Sequence, residues 1–179
     1  KMKNIELIIP KLEEYSYEQK LESEPKTMSY NAGYKVMYNG YHYDTGCIDF
    51  PKEKWQEVQN RRIKENRYFA YIKDKDLNKY VGYVNDKDED IYACGILIED
   101  KYRGKGYSKP ALKLLIKEAN KNNIKYLYDT FEKSREKALK LFLDVGFEIY
   151  EKTTANKFNK EVECVIIRID TNKITNNTD

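Results

Sequence analysis

A hydrophobic run that passes through a glycine-containing turn into an amphipathic helix constrains this chain more than any other feature. In the stretch Ile96-Leu97-Ile98-Glu99-Asp100-Lys101-Tyr102-Arg103-Gly104-Lys105-Gly106-Tyr107-Ser108 the apolar start reads as a strand and the charged middle as a turn. Leu112, Leu115, Ile116 and Ala119 then recur at helix spacing. Small residues at such a turn let backbone N–H groups approach a ligand closely. The helix start adds unpaired donors and the positive end of its dipole, which together suit a phosphate or pyrophosphate. Arg103, Lys105 and Lys109 bring mobile positive charge to the same place. The turn is suited to hold an anion. A glycine turn with a solvated basic face is the plainer alternative.

Two common phosphate loops are excluded. No Gly-Lys-Ser/Thr ending is present, so the Walker-type lysine and magnesium hydroxyl are missing. Gly104 and Gly106 also lack the third glycine of the dinucleotide fingerprint, because Lys109 stands there. What remains is Arg103-x-x-Gly106-x-Ser108 after a hydrophobic strand, which resembles motif A, Arg/Gln-x-x-Gly-x-Gly/Ala, of the GNAT superfamily of N-acetyltransferases. Ser108 departs from the usual Gly or Ala but is small and can donate a hydroxyl. Pro110 falls in the first helical turn, where a missing N–H costs little.

A second element carries the same resemblance. Ala138, Leu141, Phe142 and Val145 share a helix face that ends at Gly146, with Phe147 opening the next apolar run. Ser134 is placed to cap its start. The run Ala138 to Phe147 resembles the superfamily's helix that ends in Leu-Tyr-x-x-x-Gly-Phe. Two separated motifs in the right order are far more specific than either alone.

The resemblance implies an acetyl-CoA-dependent N-acetyltransferase acting on a primary amine of a small molecule or peptide by direct attack. It implies that backbone groups of Ile96, Leu97 and Ile98 pair with the pantetheine arm, and that Arg103, Gly104, Lys105, Gly106, Tyr107 and Ser108 hold the pyrophosphate. Ser134, Arg135, Lys137, Ala138 and Phe142 would line the other side. Phe142 stands where many members carry a tyrosine proposed to protonate the departing thiolate, and phenylalanine cannot do so. That departure keeps a non-catalytic acyl-CoA-binding or sensing module as the alternative. A phosphate-binding protein of another class is the third reading.

The base is open. Members often place an acid or a water-relaying residue on the strand before motif A, where this chain has Tyr92 and Cys94. Tyr92 is the catalytic candidate, with Asp129 and His42 as others. Tyr30, Tyr34, Tyr38, Tyr41 and Tyr43 crowd the segment that borders the acceptor groove in the family, and Tyr41 and Tyr43 are the favoured substrate-binding pair.

Composition narrows the remaining classes. A net charge of +3, with lysines and acids mixed along the chain, argues against nucleic acid. No apolar run approaches the roughly 20 residues of a membrane span, and no signal-peptide pattern opens the chain, so a cytoplasmic location is expected. Cys47, Cys94 and Cys164 are scattered, without metal-ligand spacing, and His42 is the only histidine, so no metal is expected. A monomer or homodimer is equally compatible.

In element order the chain reads as strand (5–9), helix (11–24, closed by Pro25), an irregular segment (28–50) and a helix opened by Pro51. Strands over 68–73, 80–85 and 91–98 follow, then the motif A helix, a strand over 124–130, a helix over 134–145, and strands over 147–153 and 162–169. This is a mixed α/β fold. The resemblance makes it a GNAT-like, mostly antiparallel central sheet with helices on both faces, one domain over 1–170 and a polar, frayed tail over 171–179.

Overall fold

Alternation within single strands sets the layers of this molecule. The computed structural model describes residues 2–36, 38–87 and 93–175. The strands are β1 (Ile5–Ile8), β2 (Tyr68–Asp74), β3 (Lys79–Lys87), β4 (Ala93–Ile98), β5 (Tyr126–Glu132), β6 (Glu148–Lys157) and β7 (Lys160–Asp170). The helices are α1 (Tyr15–Glu22), α2 (Pro25–Met28), α3 (Trp55–Lys64), α4 (Ser108–Lys121), α5 (Glu136–Val145) and α6 (Asn172–Thr175). In β2, Ala70 and Ile72 join the core beneath α4 and α5, while Phe69 and Tyr71 face Leu21 of α1 and Met28 of α2. A period of two with both faces apolar demands helices on both sides. The sheet has them.

The strands run in the order β1-β2-β3-β4-β5-β7-β6. Neighbours are antiparallel except β4 and β5, which are parallel and joined among the described residues by the single rung Ala93↔Tyr128. Beyond that rung the two strands diverge. The divergence is the feature of the fold that makes a site.

Helix α4 is held by Ala111, Leu112, Leu115, Ile116 and Ala119, all fully buried. Burying each Leu or Ile side chain stabilises by about 1.5–3 kcal/mol, so the loop preceding α4 is anchored to a rigid element.

Several boundaries differ from the sequence expectation. Pro25 does not close the first helix; α1 ends at Glu22 and Pro25 opens α2 at its first turn, where a missing N–H is harmless. Ser134 does not cap α5, whose N-cap is Arg135, without a side-chain cap bond. Strands β6 and β7 run on to a two-residue turn at Phe158 and Asn159, with φ of +50° and +62°. The supposed tail is partly structure. Thr171 is fully buried and donates its hydroxyl to the Ile124 carbonyl at 2.6 Å, and α6 follows, so the domain passes the expected limit at residue 170. The first residues of the expected strand over 91–98, Tyr92 included, lie outside the described residues.

Candidate active site

The opening between β4 and β5 is a cleft of about 1150 Å³. Gly95, Ile96, Leu97 and Ile98 form one wall and Asp129, Thr130, Phe131 and Glu132 the other, which are the residues after the last shared rung. On its β5 side, β4 beyond that rung therefore offers main-chain N–H and C=O groups that no neighbouring strand takes up. An extended ligand arm can use them as a strand would. Ser134, Arg135, Lys137, Ala138 and Phe142 also line the cleft, so the two regions expected to flank a cofactor converge.

Arg103 and Ser108 line the same cleft, and Gly104, Lys105 and Gly106 form the exposed turn between them. Gly104 and Gly106 have φ of +73° and +86°, and a Cβ built at either meets no atom within 4 Å. The turn is open as well as left-handed. Among the described residues no carbonyl accepts from the N–H groups of Gly104 to Ser108, and α4 starts there. These free donors at a helix N-terminus fit a pyrophosphate.

Two side chains from this stretch are used differently from the expectation. Arg103 is braced, with Nε donating to the Ile98 carbonyl at 3.1 Å and its Nη atoms to the carbonyls of Lys26 and Thr27 at 3.0 and 2.6 Å. It fastens the loop to α2 while facing the cleft. Tyr107 is buried and does not line the cleft; its hydroxyl donates to Asp74 at 2.6 Å. That bond, with the N–H groups of Leu77 and Asp76, holds the Asp74 carboxyl below its ordinary pKa against burial.

The other end of the cleft is lined by Ser29, Tyr30, Asn31, Tyr34, Tyr83 and Asn85. Tyr34 donates to Glu132 at 2.7 Å and Lys157 donates to the same oxygen at 2.9 Å. Burial works to raise the Glu132 pKa, but these two partners hold it below the ordinary value. The Arg135 guanidinium lies over the rings of Tyr30 and Phe131, at 5.3 and 5.2 Å from their centres, and so bridges the two sides.

Tyr41 and Tyr43, favoured from sequence, do not line the cleft. Tyr41 stands behind it, donating to the Asn31 carbonyl at 2.6 Å and accepting from the Tyr34 N–H at 3.3 Å. Tyr43 packs edge-on against Phe158. The lining tyrosines are Tyr30, Tyr34 and Tyr83. Tyr30 and Tyr34 belong to the tyrosine-rich segment 28–50. Tyr83 and Lys157 carried no local signal, since their place depends on strand pairing.

Of the candidate bases, Tyr92 lies outside the described residues. His42 is away from the cleft, paired to Asp49 at 2.9 Å on the surface. Cys94 is buried, which pushes its thiol up. Asp129 lines the cleft, and burial raises its pKa to about 7 against the opposing effects of the Thr130 N–H and Arg135. Phe142 is 1% exposed, seated between Phe131 and Phe147 with ring centres 4.7 and 5.0 Å away.

The sequence matches the acetyltransferase (GNAT) family over residues 34–147, more than half of the 179 residues. The chain belongs to the GNAT family. No curated protein matches it closely in sequence. Among solved structures, the GNAT chain is similar to the spermidine N-acetyltransferase of Vibrio cholerae in complex with CoA and spermine, with 15% identity, a TM-score of 0.77, and 96% of this chain and 98% of that one covered. It is similar to an N-acetyltransferase of Staphylococcus aureus Mu50, with 15% identity, a TM-score of 0.71, and coverage of 94% and 99%. A GNAT-family acetyltransferase of Bacillus anthracis gives 13% identity, a TM-score of 0.70, and coverage of 96% and 98%. At these identities the likeness is one of fold. Among the described residues no group of three or more His, Cys, Asp or Glu could hold a metal, and no helix is long and apolar enough to cross a membrane.

Proposed function

We propose that this GNAT chain transfers an acetyl group from acetyl-CoA to a primary amine of a small molecule or peptide by direct attack. The observation that carries the reading is the cleft itself. It opens where β4 and β5 part, with an open anion-binding turn from Arg103 to Ser108 and a wall of tyrosines and carboxylates beyond. Bound acetyl-CoA supplies the activated thioester. The main-chain groups of Ile96 and Ile98 orient its arm, and an N–H of β4 polarises the carbonyl. The N–H groups of Gly104 to Ser108 take the pyrophosphate, with Ser134, Arg135, Lys137 and Ala138 on the facing side. Tyr30 and Tyr34 give the acceptor end aromatic faces, which suit an amine. The Vibrio neighbour's spermine makes polyamines early candidates. Free thiols at Cys47, Cys94 and Cys164 suit a reducing compartment, and we place the protein in the cytoplasm, as a monomer or homodimer.

Phe142 favours one competitor, a module that binds acyl-CoA without turnover, because its ring brings no proton to the leaving sulfur. A free thiol has a pKa of about 8.5, so the thiolate leaves near neutral pH without an acid. Incubation with acetyl-CoA and a panel of polyamines, aryl amines and peptides separates the readings. The transferase gives thiol release matched by acetylated amine in the mass spectrum. Tight acetyl-CoA binding with no product for any amine supports the module, and no binding at all rejects both.

A further inference from the structure

We propose that Asp129 is the general base that takes the proton of the acceptor ammonium, an assignment that rests on the N-acetyltransferase reading above. The register places it. Ala93↔Tyr128 is the last rung joining β4 to β5 among the described residues, and Asp129 is the next residue on β5. It therefore stands in the crotch of the cleft, opposite Cys94 and Gly95, at the inner end of the free edge of β4. The described part of β4 carries no carboxylate.

The chemistry of the carboxyl fits. Oδ1 accepts the Thr130 N–H at 2.8 Å, and no hydrogen bond reaches the other oxygen among the described residues. The charged groups around it are few. Arg135 precedes α5, and Glu136 and Lys137 follow at that helix's head. On β5 itself, Glu132 is neutralised by Lys157 of β6. Beside it lies the buried Cys94 thiol and across the cleft the Tyr30 phenol, while Asn85 of β3 and Ile167 of β7 are uncharged. Burial dominates this balance and brings the carboxyl to about 7, where it can both accept and return a proton near neutrality.

The step balances. The ammonium gives one proton to Asp129 and becomes a neutral amine. The nitrogen lone pair forms the C–N bond to the thioester carbon, and the C–S bond breaks with its pair on sulfur. The second nitrogen proton passes to that sulfur, and Asp129 returns its own to water.

The test combines pH–rate profiles with stability. Wild-type kcat/KM should fall about tenfold per pH unit below pH ~7. Asp129→Asn should be slower by about 10²–10⁴-fold at pH 7.5, lack that limb, and keep its acetyl-CoA affinity by calorimetry. Asp129→Ala should recover activity with added formate. A readout independent of activity is Tm against pH. A carboxyl whose folded pKa is raised costs stability as pH climbs from about 4 to about 7. Asp129→Asn should therefore gain Tm over wild type across that window, with no further gain above it. A folded Asp129→Asn protein within about threefold of wild-type kcat/KM overturns the assignment, as does a Tm difference that is the same at every pH. Wild type that binds acetyl-CoA yet acetylates nothing overturns the transferase reading and the base with it, while the Tm series still reports the carboxyl's titration.

Discussion

Replacing Tyr107 by Phe removes one hydroxyl and keeps the ring, which isolates the bond that ties the turn before α4 to Asp74 at the end of β2. The hydroxyl donates at 2.6 Å to Asp74, a carboxylate only 3% exposed, whose remaining donors are the N–H groups of Asp76 and Leu77. A hydrogen bond to a charged group contributes about 1.5–3 kcal/mol. Asp74 keeps two donors, so the loss falls near the lower end, about 2 kcal/mol, or a fall in Tm of about 4–8 °C for a chain of this size. The sign of the pH dependence follows from the lowered Asp74 pKa. The stabilisation is fully present above the unfolded value and is lost as pH falls through the folded one. Tyr107→Phe should thus cost its full amount at pH 7 and much less near pH 3. Urea titrations of both proteins at the two pH values would measure it. An equal cost at both would mean that the ionised carboxylate is not what the hydroxyl stabilises. Coenzyme A affinity should fall with it, because Tyr107 is the residue just before α4.

Four further outcomes are expected. Gly106→Val places a β-branched residue at φ +86°, at a strain of roughly 1–3 kcal/mol, and puts methyl groups beside the free N–H donors; calorimetry should find coenzyme A binding largely lost in a folded protein. Arg103→Ala should weaken binding less and lower Tm, since it frees three carbonyls. Phe142→Tyr should leave the rate unchanged or raise it, most visibly at low pH, with stopped thiol-release assays as the check; a large loss in a folded variant would put the hydroxyl in the Phe131–Phe147 packing instead of the cleft. Tyr34→Ala should raise the acceptor KM more than it weakens acetyl-CoA binding, and an equal effect on both ligands would remove Tyr34 from the acceptor end.

The side of the cleft proposed for the cofactor was legible in the sequence as structure because it is local. A strand, a glycine turn and a helix start are contiguous from Ile96 to Ser108, and the helix containing Ala138 and Phe142 announces itself by period and by Gly146. The end of the cleft proposed for the acceptor is assembled from a distance. Tyr83 comes from β3, Glu132 from β5 and Lys157 from β6, and none of their spacings has a local signature. Within the tyrosine-rich segment, which ring faces the cleft is decided by contacts to remote residues: Tyr34 is drawn in by Glu132, and Tyr43 is held back against Phe158. Asp129 became distinctive only once the single rung at Tyr128 put it at the point of divergence. The supposed tail misled by composition, since Thr171 and Asn172 are polar yet bound by Ile124 and Asn120.

The central claim is that the divergence of β4 from β5 is the acetyl-CoA site, and a crystal structure of the protein with coenzyme A tests it most directly. The account predicts an extended arm along Ile96 to Ile98, the pyrophosphate on the N–H groups of Gly104 to Ser108, and the sulfur directed toward Asp129 and Phe142. Coenzyme A bound elsewhere, or a pyrophosphate held by surface lysines with the turn left empty, would contradict it.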